Sequence, residues 1–243
     1  MMAALSPGSE KTTTRLALLN TGAEAIVSIP EKSLQPGLLV PIDIFGIRPV
    51  FEDLCRRIGT YGVPVVAIEP FWRIPSKRRL EMNQAARRVA VASLDDAEQL
   101  GDLLAGVDLL ANETGVTEFD ILGFCAGGYY ALKAAATGSF RRVVTCYGMT
   151  DTPTMWDTAG HRSPMDTIDE VCPTLAAFGG VDHWTPASQI DALRSAWVER
   201  PDCEVIVYPK ADHGFVHDPD SEHHRADDAA DFWTRVIGFL GWE

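Results

Sequence analysis

The chain has 243 residues, 46% hydrophobic and 23% charged, which suits one large folded domain with a substantial core. Its formal net charge of −13 argues against a surface that binds nucleic acid or an anionic membrane. No apolar run approaches the roughly 20 residues a bilayer-spanning helix needs.

Residues 1–14 show no charged stretch leading into an apolar one, so no secretory signal is expected. Their Ser, Pro, Gly and Thr content reads as a loose tail ahead of a domain spanning 15–243. A hairpin around Asn20-Thr21-Gly22 is expected to lead. Residues 38–45 form a mostly apolar strand, then Phe51, Leu54, Cys55 and Ile58 mark the buried stripe of a helix. Residues 63–68 are the next strand, completing a parallel βαβ unit. The stretch 69–81 reads as irregular, with Pro70, Trp72, Pro75 and a basic group at Arg73, Lys77, Arg78 and Arg79. A helix including residues 94–110 precedes a short apolar strand beginning at Phe119. Further strands are expected at 142–147, 174–178 and 204–208. Helices start at Pro186 and, finally, near His223 and His224. Alternating strands and helices without repeat or linker point to an α/β fold: one domain, a mostly parallel doubly wound sheet flanked by helices.

The strand beginning at Phe119 runs into Gly123-Phe124-Cys125-Ala126-Gly127-Gly128 and a helix-forming stretch follows at once. This is the Gly-x-nucleophile-x-Gly pattern of a strand-to-helix elbow, with cysteine as nucleophile. Neighbours without Cβ atoms let strand and helix approach closely, and the thiol meets the partial positive charge of a helix N-terminus. On its own the pattern also fits a tight turn around a structural cysteine. Asp182 and His213, each following a later strand, tip the balance. Ligands of such sheets bind outside the carboxyl ends of the strands, where all three residues would emerge. A thiol with an ordinary pKa near 8.5 needs a base, supplied by His213, and Asp182 would fix the histidine's tautomer. Taken singly, Asp182 could cap the helix at Pro186 and His213 could be a turn residue. His161, His183, His217, His223 and His224 compete for the role of base.

The remaining cysteines, Cys55, Cys146, Cys172 and Cys203, are scattered with no Cys-x-x-Cys. They read as small buried hydrophobes in a reducing cytoplasm, with neither disulfide framework nor zinc site expected.

From about residue 38 onward the chain resembles the dienelactone hydrolase family, α/β-hydrolases with a Cys-Asp-His triad. The resemblance rests on the elbow at 123–128, on Gly180-Val181-Asp182-His183-Trp184-Thr185-Pro186, on Asp212-His213-Gly214-Phe215, and on Ile42-Asp43-Ile44-Phe45-Gly46. It implies an oxyanion hole from the backbone N–H groups of Ile44 and Ala126. It implies that Asp43, standing where the family has glutamate, neighbours the thiol, and that Tyr147 lines the pocket. His217 stands where the family enzyme that opens dienelactones has an arginine for the substrate carboxylate. The substrate pocket is therefore expected to draw on Asp43, Phe45, Tyr147 and His217, with Trp72 and Arg73 from the long loop. Arg73, Arg78 and Arg79 are the alternative cations.

Together these readings predict hydrolysis of a small ester or lactone through a thioester, with neutral esters handled at least as well as anionic lactones. No metal or organic cofactor, nucleic acid or membrane is implied, and a homo-oligomer is left open. Acyl transfer at the same site, or a non-catalytic binding protein on the same fold, are the alternatives. Substrate choice would lie in the loops at 69–81 and 148–171.

Overall fold

The structure, a computed structural model, describes residues 8–242. Residues 1–7 of the expected tail lie outside the described residues, and the domain begins before residue 15. The Gly8 N–H donates to Thr60 Oγ1 at 2.7 Å, and the first strand, β1, is Thr12–Leu18. It pairs antiparallel with β2 (Glu24–Pro30) as the expected hairpin, Gly22 taking φ +91° in the turn.

The alternation follows: β3 (Gly37–Pro41), α1 (Pro49–Gly59), β4 (Val65–Ile68), α2 (Ser76–Glu81), α3 (Gln84–Ala90) and α4 (Asp96–Thr114). Then come β5 (Phe119–Phe124), α5 (Ala126–Ala135), β6 (Arg142–Cys146), β7 (Thr174–Gly179), α6 (Ala187–Ala196), β8 (Cys203–Tyr208) and α7 (Ala226–Leu240). The helices carry their stop and start signals. Pro49 opens α1, the Asp95 carboxylate caps α4 by accepting from the N–H groups of Ala97 and Glu98, and Gly115 and Gly241 close α4 and α7 in left-handed conformation.

The eight strands form one sheet in the order β1-β2-β4-β3-β5-β6-β7-β8. Everything from β4 to β8 is parallel; β1 and β2 are antiparallel. The strands β3, β4, β5 and β7 are buried throughout, as parallel strands covered on both faces must be. On one face Phe51, Leu54 and Ile58 of α1 and Phe232, Trp233 and Val236 of α7 meet Leu38, Val40, Leu122 and Phe124. On the other, α4, α5 and α6 bring Leu103, Leu132 and Leu193 against Leu39, Val66 and Ile121. Each such large side chain taken out of water contributes about 1.5–3 kcal/mol.

Three expectations need correction. The strand expected over 38–45 ends at Pro41, because residues 43–46 leave the sheet in a turn closed by the Gly46 N–H on the Asp43 carbonyl (3.2 Å). The stretch expected to be irregular contains α2, and α3 follows it. These helices leave Leu80 and Val89 exposed, so they carry no apolar stripe to read. His223 and His224 precede the last helix instead of opening it.

Candidate active site

Cys125 turns the chain between β5 and α5 at φ 57° and ψ −123°, a conformation that costs a residue with a Cβ on the order of 1–3 kcal/mol. The neighbouring glycines are required by contact. A Cβ on Gly123 would stand 2.3 Å from the Gly127 carbonyl oxygen, and one on Gly127 would stand 1.9 Å from that of Pro41. The elbow is therefore wedged between β3 and α5, with the thiol half-buried at the helix N-terminus.

The other two expected residues converge on it. His213 Nδ1 lies 2.8 Å from Asp182 Oδ2, and the imidazole is hydrogen-bonded to the Cys125 thiol. Asp182 Oδ1 accepts the Trp184 N–H at 2.8 Å, so both carboxylate oxygens are occupied. Burial disfavours the charged form of His213. The Cys125 thiolate, and then the hydrogen bond to Asp182, outweigh that and push it up to about 10. The ring nitrogen facing Asp182 thus carries a proton, which leaves the other for exchange with the thiol. Ile44 and Ala126 flank Cys125 from the β3 loop and the first turn of α5; their N–H groups meet no acceptor among the described residues.

Asp43 is buried at the cavity wall. Arg48 reaches it with Nη1 to Oδ1 at 2.6 Å and Nη2 to Oδ2 at 2.8 Å, and His217 Nε2 donates to Oδ2 at 3.0 Å. Tyr147, at φ 41° beyond β6, is hydrogen-bonded through its hydroxyl to His217 Nδ1. His217 also stacks on Phe51 with ring centroids 5.2 Å apart. The residue standing in the place of the expected substrate cation is consequently committed to Asp43 and Tyr147.

These groups line a cavity of about 200 Å³. Cys125, His213, Asp43, Phe45, Tyr147 and His217 border it, with Met149, Trp156 and Trp184 as apolar walls. Trp72 and Arg73 do not. The Trp72 indole N–H and the Arg73 guanidinium both bond the buried carboxylate of Asp102 on α4, at 2.9 and 2.7 Å, because a charge 2% exposed needs such partners. Arg79 is paired with Glu24 and Arg78 is exposed.

The arginines that do line the cavity are Arg48 and Arg88, neither expected from sequence. Arg48 lies five residues beyond Asp43, and that spacing within one loop was the available signal. Arg88, on α3, lies over the Trp184 ring at 5.2 Å and meets no carboxylate among the described residues. Of the competing histidines, His161 is buried with Nε2 on the Val91 carbonyl (3.0 Å), His183 is exposed beside Trp184, and His223 is exposed beside Asp212. Asp182, His183 and Asp212 could bring ligating atoms within 4.8 Å of one another, but Asp182 already spends both oxygens on His213 and Trp184.

A mostly parallel eight-stranded sheet with its elbow after β5 is the α/β-hydrolase fold. The Dienelactone hydrolase family pattern matches residues 23–242, and the chain belongs to that family. A Yersinia pestis protein named "Putative carboxymethylenebutenolidase" is 31% identical over 211 residues, covering 84% of this chain and 77% of that protein. A Bradyrhizobium protein named "Probable 2-oxo-3-(5-oxofuran-2-ylidene)propanoate lactonase" is 28% identical over 211 residues, 85% of this chain and 84% of its own. The fold matches a crystal structure titled as a putative dienelactone hydrolase from Klebsiella pneumoniae with a TM-score of 0.86 at 24% identity, covering 96% of this chain and 99% of that one. No helix among the described residues is long and apolar enough to cross a membrane.

Proposed function

We propose that the chain hydrolyses small carboxylic esters or lactones through a thioester on Cys125. The observation that carries this reading is His213 joined to Asp182 at 2.8 Å on one side and to the elbow thiol on the other. The Cys125 thiolate attacks the substrate carbonyl, and the negative charge moves to the carbonyl oxygen. The N–H groups of Ile44 and Ala126 donate to that oxygen, Ala126 from the positive end of α5. As the intermediate collapses, His213 gives its proton to the leaving alkoxide, which in a lactone stays tethered as the other end of the opened ring. His213 then takes a proton from water, whose hydroxide attacks the thioester, and expulsion of the thiolate releases the acid and restores the starting pair of thiolate and protonated His213. Asp182 holds the imidazole's tautomer and offsets its charge throughout.

The size of the cavity limits the substrate to a small molecule, and its tryptophan and methionine walls favour an unsaturated or aromatic acyl group. The names of the relatives agree with a lactone among the substrates. The test is a panel of small esters and lactones against wild type and Cys125→Ala, with mass spectrometry of the quenched wild-type reaction. An acyl adduct on Cys125 and an inactive variant are expected; a fully active Cys125→Ala refutes the reading.

A further inference from the structure

The turn at 43–46 offers the Ile44 N–H, and its peptide planes are held from several sides. The Phe45 N–H donates to Asp43 Oδ1 at 2.9 Å and the Gly46 N–H to the Asp43 carbonyl at 3.2 Å, both from within the turn. Beyond it the Ile47 N–H donates to Glu69 Oε2 at 2.8 Å. Gly46, at φ +75°, is glycine by necessity there, since a Cβ would stand 2.4 Å from Glu69 Oε2. The only bond to Ile44 itself among the described residues comes from Arg87 on α3, whose Nη1 donates to the Ile44 carbonyl at 3.1 Å.

The other donors of Arg87 go to the end of α2, Nη2 to the Arg79 carbonyl at 2.7 Å and Nε to the Met82 carbonyl at 3.2 Å. Capping a helix C-terminus is ordinary work for an arginine and would need only those two bonds. The third is different. All three acceptors are backbone carbonyls, so no carboxylate competes for this guanidinium among the described residues. The Ile44–Phe45 peptide is the central plane of the turn, the one whose rotation separates one turn type from another. Arg87 pins its carbonyl end and the Asp43 carboxylate pins its N–H end. With the carbonyl end released, Ile44 keeps no side-chain tether among the described residues. Then ψ of Asp43 and φ of Ile44 can shift, and the N–H of Ile44, carried by the Asp43–Ile44 peptide, loses its fixed aim.

We infer that Arg87 is a positioning residue for the oxyanion hole, tying the turn that offers the Ile44 N–H to the α2–α3 segment. The inference rests on the reading of Cys125 and Ile44 proposed above. It concerns stabilisation of an oxyanion, so it separates two reactions of the same thiolate. Acylation by an ester develops an oxyanion; alkylation by iodoacetamide does not.

The experiment measures both on the full chain for wild type, Arg87→Ala and Arg87→Lys, using a small chromogenic ester and the rate of Cys125 alkylation. Misplacing one donor by about 1 Å predicts a 10- to 100-fold loss in acylation rate and kcat for Arg87→Ala. KM and the alkylation rate should stay within about twofold of wild type. Added guanidinium ion should restore part of kcat. Lysine, which reaches one carbonyl at most, should fall between wild type and alanine, and it carries the comparison if circular dichroism shows Arg87→Ala unfolded. Wild-type kcat in either folded variant overturns the inference, and so does a parallel fall in acylation and alkylation. Activity retained by Cys125→Ala would instead remove the underlying reading of the nucleophile.

Discussion

Arg48 grips both oxygens of Asp43, at 2.6 and 2.8 Å, and this pairing decides what the acid in the cavity wall can do. His217 and the Phe45 N–H complete its set of donors. Burial raises the carboxyl's pKa, but the hydrogen bonds from His217 and Arg48 outweigh it and hold Asp43 well below the usual carboxylate range. A carboxylate so stabilised is a poor proton acceptor. In the proposed mechanism, ionising the Cys125 thiol therefore falls to His213, whose pKa is raised by the thiolate and by Asp182.

The Asp43 network should be visible in acid unfolding. A folded pKa below the unfolded value near 3.9 means its contribution is complete above that value and is lost as pH falls below it. Asp43→Asn should be less stable than wild type at pH 7, by about 2–4 kcal/mol, because Arg48 and His217 lose their partner. It should also lose less stability than wild type on going from pH 5 to pH 3. Urea unfolding at the three pH values decides; parallel acid limbs for the two proteins would refute the assignment.

Thiol reactivity gives a second measurement. Burial pushes the Cys55, Cys146 and Cys203 thiols up, and that of Cys172 up to about 11. Cys125 has a helix N-terminus and an imidazolium that persists to about pH 10. Brief alkylation at pH 7 should label Cys125 first. His213→Ala should slow labelling and should lower kcat by several orders of magnitude, whereas His183→Ala should do neither. Peptide mapping that finds Cys172 or Cys203 labelled first counts against the assignment.

The third concerns charge on the substrate. Arg48 is committed to Asp43, which leaves Arg88 as the cavity cation able to meet a substrate carboxylate. Arg88→Gln should raise KM for an anionic lactone about tenfold, roughly 1.4 kcal/mol for a half-buried pair, and leave a matched neutral ester within about twofold. His217→Arg, which sequence alone recommends as a gain for anions, should instead reduce activity on both, since it sets a second guanidinium against Arg48. Equal effects of Arg88→Gln on the two substrates would exclude this role.

What could be read beforehand was whatever the backbone imposes locally. Gly123 and Gly127 announce a wedge that no other residue fills, and Asp182 and His213 follow apolar strands whose ends a parallel sheet brings to one edge. Arg88 could not be read that way, because α3 exposes Val89 and leaves no periodic stripe to reveal its orientation. Trp72 and Arg73 misled for the opposite reason. An aromatic and a cation in a long loop look like a binding surface, but here they neutralise Asp102, a buried acid on α4.

Among the described residues, the two non-glycine residues of positive φ, Cys125 and Tyr147, follow directly on Phe124 and Cys146, which are register partners in adjacent parallel strands. The Cys125 N–H donates to the Cys146 carbonyl at 3.1 Å, and the Tyr147 N–H to that of Ala177 at 2.7 Å. The strained backbone of the site is thus continuous with the middle of the sheet, where amide protons exchange only through the largest openings of the molecule. The nucleophile cannot loosen by local fraying. Its geometry lasts as long as the sheet does.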